Sequence, residues 1–139
     1  MEDRFGLSRF VQAQAAVYPQ VVAELRAGRK RSHWMWFVFP QIEGLGHSAM
    51  AQRYAVGSLD EARAHLEHPV LGARLRECSA LVLAVPAKTA HEIFGSPDDL
   101  KFHSSMTLFH RAAPAEPVFG ECLRKYFAGQ EDTSTLARL

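Results

Sequence analysis

The sequence predicts a mainly α-helical single domain of about seven or eight short helices, with an α+β fold carrying one or two short strands as the alternative. Three observations carry this expectation. Apolar residues recur at helical spacing in several segments. Good helix starters precede those segments. Glycine or proline follows most of them.

The elements follow in order. Leu7, Phe10, Val11 and Gln14 open a pattern that Pro19 interrupts, which predicts two abutting helices or one kinked helix ending near Ala27, with Gly28 as the stop. His33 to Gln41 is dense in aromatics and too short for an amphipathic helix, so it reads as a buried strand or an irregular buried segment. Gly44 and Gly46 mark a loop, and a short helix is expected from Ser48 to about Ala55. Ser58 and Glu61 have capping-box spacing for a helix ending near Glu67. Pro69 can start the next helix, with Leu71, Leu75, Cys78, Leu81 and Val82 facing inward, and Pro86 ends it. Thr89 to Phe94 reads as a short helix closed by Gly95. In Ser96-Pro97-Asp98-Asp99, serine is the expected N-cap, proline the first helical residue, and the acids complement the positive end of the dipole. A last amphipathic helix uses Val118, Phe119, Cys122, Leu123, Tyr126 and Phe127 up to Gly129, and Asp132 is a further cap candidate.

Composition narrows the functional classes. A chain of 139 residues with 47% apolar residues fits one domain, 1–139, with its own core. A formal charge of +1 argues against a general nucleic-acid binder but permits a local basic site. The two cysteines, Cys78 and Cys122, lack CxxC or zinc-ligand spacing and read as buried thiols. The seven histidines form no metal-site pattern, so neither a metal nor a cofactor is expected. The N-terminus lacks an apolar signal region and no stretch is long enough to span a membrane, which makes a cytoplasmic protein the default expectation.

Two segments could carry chemistry. In the first, Arg29, Lys30 and Arg31 precede His33, Trp34, Trp36 and Gln41. Cations neutralise phosphates and indole faces stack on planar rings, so this stretch suits a nucleotide-like phosphorylated ligand. A solvated basic turn beside core aromatics is the alternative, as is a structural role for His33. In the second, Phe94 to Thr107, Lys101, Ser104 and Ser105 are spaced to share one helix face, either solvent-facing or lining a pocket. Asp98 and Asp99 read as cap carboxylates or as an acid/base pair. Gly72 and Arg74 form a weaker third cluster, read as a packing glycine and a surface arginine. The phosphate-loop, nucleophile-elbow, zinc-protease and dinucleotide fingerprints are absent.

The strings ELRAGRKRSHWMWFVFPQIEGLG, HPVLGARL and FGSPDDLKFHSSMTLF resemble the family known as domain of unknown function 1810, over nearly the whole chain from Leu7 to Leu136. The resemblance implies a compact, mainly helical domain and no assigned reaction. A weaker similarity is to the NADAR family, linked to NAD and ADP-ribose. It rests on Phe10-Val11-Gln12-Ala13-Gln14, and Phe94-Gly95 stands where that family has Trp-Gly.

Three functions are therefore weighed. The first is a small enzyme acting on a nucleotide-like or ADP-ribose-like ligand, with N-glycosidic hydrolysis as the reaction considered. Glu24, Glu43, Asp98 and Asp99 are its candidate carboxylates, Trp34 or Trp36 would stack the base, and Lys30 or Lys101 would hold phosphate. The second is a non-catalytic small-ligand module using the same pocket, and the third a helical protein-interaction domain. The basic segment and the Asp98–Ser105 segment are expected to converge on one pocket.

Overall fold

The computed structural model describes residues 3–139 and contains ten helical segments. They are α1 (Ser8–Ala15), α2 (Tyr18–Arg26), α3 (Met35–Val38), α4 (Ala49–Arg53) and α5 (Leu59–Glu67). There follow α6 (Leu71–Ala84), α7 (Ala90–Phe94), α8 (Asp98–Ala112), α9 (Pro117–Phe127) and α10 (Thr133–Leu136). No strand forms among the described residues. One isolated parallel bridge joins Ile42 and Val56, where the Glu43 N–H donates to the Val56 carbonyl at 2.8 Å. The α+β alternative is thereby set aside, and two single-turn helices, α3 and α10, add to the expected count.

Local chemistry explains most boundaries. Pro19 sits in the first turn of α2, where its missing N–H costs nothing, and so separates α2 from α1. Gly28 ends α2 at φ +71°, a left-handed conformation that side chains disfavour. Ser48, Ser58, Thr89 and Asp132 each accept a backbone N–H at a helix start. At Thr89 the capping box closes with Glu92. At Ser58 it does not close, because the Glu61 carboxylate instead takes the Gly57 N–H and pairs with Arg9 at 3.1 Å.

Ser96 is not the cap of α8. The Ser96–Pro97 peptide is cis, Pro97 occupies the cap position, and Asp98 begins the helix. The His33–Gln41 segment resolves as the single turn α3 followed by buried Phe39 and Pro40.

Helix α8 is the hub. It packs against α5, α7, α9 and α10, and its residues from Ser104 to Phe109 are all buried. Phe102 lies at its centre, edge-on to Phe39 at 5.1 Å and stacked on Phe94 at 4.7 Å. Gly72 lets α6 press against the end of α5: a Cβ there would stand 2.0 Å from the Leu66 carbonyl oxygen. No helix of the described residues is long and apolar enough to cross a membrane.

Candidate functional site

The basic segment is shaped from within by Glu24. This carboxylate is 5% exposed and accepts the N–H groups of Arg31 and Ser32, the Ser32 hydroxyl, the Gln20 amide and the Trp34 indole N–H at 2.6–3.0 Å. Burial raises its pKa, but the donors from Ser32, Arg31 and Gln20 outweigh burial and hold it at about 2. Glu24 is therefore an ionised clamp that folds the loop around itself, with its lone pairs committed to the protein. The Lys30 N–H donates to the Ile93 carbonyl at 2.8 Å, tying the same loop to the end of α7.

This loop meets α8 through Asp98. The Lys30 ammonium, 6% exposed, pairs with one Asp98 oxygen at 2.8 Å. Lys101, 23% exposed, approaches the other at 3.5 Å. Each lysine also lies over an indole, Lys30 over Trp34 at 5.0 Å and Lys101 over Trp36 at 4.9 Å. Two cations share one carboxylate, which leaves one positive charge in surplus. Because Lys30 is nearer and more deeply buried, the surplus falls on Lys101.

Lys101 lines a cleft of about 460 Å³ between the 41–51 segment and α8. Gln41, His47 and Ser48 contribute to one wall, and His103 and Ser104 to the other, beside Asp132. His103 is fixed by stacking on Phe127 at 4.0 Å and by a 2.8 Å hydrogen bond from its Nε2 to the Gln130 carbonyl. Ser104 donates to Asp132 Oδ2 at 2.8 Å, and the Thr135 hydroxyl and N–H reach the same oxygen. Burial raises the Asp132 pKa, but the Thr135 and Ser104 hydrogen bonds leave it below the usual carboxylate value. A second recess of about 440 Å³ is lined by Glu43, Gly44 and Gln52, and shares Gly46 and His47 with the cleft. Among the described residues no three His, Cys, Asp or Glu side chains are grouped to hold a metal ion.

The two segments singled out in the sequence thus touch, at the Lys30–Asp98 pair. Gln41, Lys101 and Ser104 line the cleft together. Other candidates fall elsewhere. Trp34 is 1% exposed, so its indole is a core group and not a stacking face. Trp36 is half-buried, outside the cleft lining, with Lys101 over its ring.

Ser105 points into the core with its hydroxyl unpartnered, one helical position away from the polar face that Lys101 and Ser104 share. Arg29 is exposed beside Arg31 on a separate hollow against α2, and exposed His33 lies outside the cleft. Asp99 spends its carboxylate on the Leu100 N–H and on His91, and Glu43 stands in the second recess. Sequence reasoning did not single out His47, His103 and Asp132, which line this cleft. Asp132 was visible only as a helix cap, and His103 only as a neighbour of Lys101.

No curated protein matches the chain. A solved structure, that of the conserved hypothetical protein Rv1873 from Mycobacterium tuberculosis, is 59% identical to it, over 99% of this chain and 98% of that one, with a TM-score of 0.97. The likeness to the NADAR family finds no support in these comparisons. The profile of the family described as protein of unknown function (DUF1810) matches residues 4–139, and the chain belongs to that family.

Proposed function

We propose that this protein binds a small phosphorylated molecule in the cleft between the 41–51 segment and α8. One observation carries the proposal: Asp98 is shared by Lys30 and Lys101, and the surplus charge sits on Lys101 at the cleft wall. An ammonium held in place by a carboxylate and an indole has little conformational freedom left to lose when an anion arrives. The cleft volume of about 460 Å³ falls within the range of about 300–1,000 Å³ typical of small-ligand sites. Gln41, Ser48 and His103 add convergent polar groups.

Binding is favoured over N-glycosidic hydrolysis because three of the four nominated carboxylates are occupied, and the fourth, Glu43, stands outside the cleft in the second recess. Glu24 accepts five hydrogen bonds, Asp98 serves two lysines, and Asp99 is tied within α8 and to His91. A planar base would also lack Trp34 as a platform, so the phosphate is the supported half of a nucleotide-like ligand.

The test is calorimetric titration of the protein and of Lys101→Ala with inorganic phosphate and sugar phosphates. Lys101 forms only a partly exposed ion pair, so the substitution is expected to change stability by about 0–1 kcal/mol. Loss of a charge-assisted contact should weaken phosphate binding about ten- to a hundredfold. Equal affinity in the two proteins, or no phosphorylated compound bound at millimolar concentration, would overturn the proposal.

A further inference from the structure

We infer that the ligand is two-ended: its phosphate sits at Lys101, and a hydroxyl-bearing end crosses the Gly46–His47 ridge into the recess lined by Glu43. This inference rests on the anion site proposed above and adds the chemical class of the ligand, a phosphomonoester of a polyol or sugar.

The first support is continuity. The cleft of about 460 Å³ and the recess of about 440 Å³ are both bounded by Gly46 and His47. At Gly46 the ridge is bare backbone. A Cβ there would come within 2.6 Å of the Ala51 Cβ, so close packing of the loop on α4 keeps this part of the ridge free of a side chain.

The second support is the opposite chemistry of the two lobes. The cleft offers the Lys101 ammonium, which the recess lacks, beside the Asp132 carboxylate, whose Oδ2 accepts three donors from Ser104 and Thr135. The recess offers acceptors. Glu43 is exposed, its carboxylate forms no hydrogen bond or ion pair among the described residues, and one of its oxygens lies 3.9 Å from where a Gly57 Cβ would stand. The Gln52 amide nitrogen is committed to the His47 carbonyl at 2.9 Å, which leaves its oxygen as the available group. A carboxylate and an amide oxygen together suit hydroxyl donors and repel a second phosphate. The nearby cation is Arg138, whose guanidinium lies against Gly44, where a Cβ would be 2.5 Å from it. Among the described residues it forms no ion pair with Glu43.

The experiment compares two probes, inorganic phosphate and ribose 5-phosphate, on the unmodified protein, Glu43→Ala and Lys101→Ala. Ribose 5-phosphate is expected to bind the unmodified protein at least tenfold more tightly than phosphate. Glu43→Ala should lose about tenfold for ribose 5-phosphate while phosphate changes less than twofold, and Lys101→Ala should weaken both. Glu43 is exposed and its backbone bond to Val56 does not involve the side chain, so the variant is expected to fold; matching circular dichroism and melting temperature check this. If both probes bind equally, or Glu43→Ala leaves ribose 5-phosphate unaffected, the two-ended ligand is wrong while the anion site stands. If neither probe binds the unmodified protein, the anion site itself fails and the inference with it.

Discussion

Burying His65 without partners should make the fold sensitive to mild acid. The imidazole is fully buried in α5, edge-on to Phe10 at 5.0 Å and tilted on Phe109 at 5.5 Å. Neither ring nitrogen has a hydrogen-bond partner. Burial lowers its pKa first, and the nearby His68 and Arg9 charges add to this, bringing it to about 3 from an ordinary 6.5. The unfolded chain therefore binds a proton between pH 6.5 and 3 that the folded chain refuses, so stability is full above pH 6.5 and falls as the pH drops below it. At pH 5, about 1.5 pH units below the unfolded value, the loss is about 2 kcal/mol, at about 1.36 kcal/mol per unit.

The perturbation is His65→Leu. It removes an N–H and a lone pair that are buried unpaired, each costing roughly 1–3 kcal/mol, against aromatic contacts worth about 0.5–1.5 kcal/mol. At pH 7 the variant should be more stable by about 1 kcal/mol, and its stability should change about 2 kcal/mol less than the parent's between pH 7 and pH 5. Urea denaturation of both proteins at both pH values measures this double difference, in which the other six histidines cancel. Equal pH dependence in the two proteins, or a variant several kcal/mol weaker at pH 7, would refute the assignment of His65 as an unpaired core imidazole.

Two further outcomes follow from packing. Glu24→Ala leaves the Arg31 and Ser32 N–H groups and the Trp34 indole N–H without their acceptor, and should destabilise by roughly 3–5 kcal/mol. Since the Glu24 pKa is depressed to about 2 from 4.5, its contribution is full above pH 4.5 and disappears as the pH falls towards 2. An acid titration of folding that lacks this difference between parent and variant would count against the clamp. Gly72→Ala forces a Cβ against the Leu66 carbonyl and should cost about 1–3 kcal/mol or more in thermal or urea unfolding; a neutral result would mean that α5 and α6 are not pressed together there.

Helix ends were the most legible part of the fold. Pro19, Gly28, Ser48, Ser58 and Thr89 act on backbone groups within a few residues of themselves, so their meaning does not depend on distant chain. Ser96 shows the limit of such rules. It has the residue type of an N-cap, but Ser96 and Pro97 lie in a turn, Pro97 takes the cap position and the helix opens at Asp98. The single turns α3 and α10 are too short to establish a period, so only their packing identifies them.

By itself, the sequence determined the helical class, most boundaries, the family resemblance, and the two segments that meet at the Lys30–Asp98 pair. Tertiary structure alone decided what each polar group does within them. It turned Trp34 inward because Glu24 accepts its indole N–H, and it sent Ser105 to the core while Ser104 reached Asp132. It also made Lys101 the surplus cation by giving Asp98 to Lys30. Caps and breaks are set by neighbours along the chain. Burial and pairing are set by neighbours across it, and a one-residue step around a helix, about 100°, is enough to move a side chain from cleft to core.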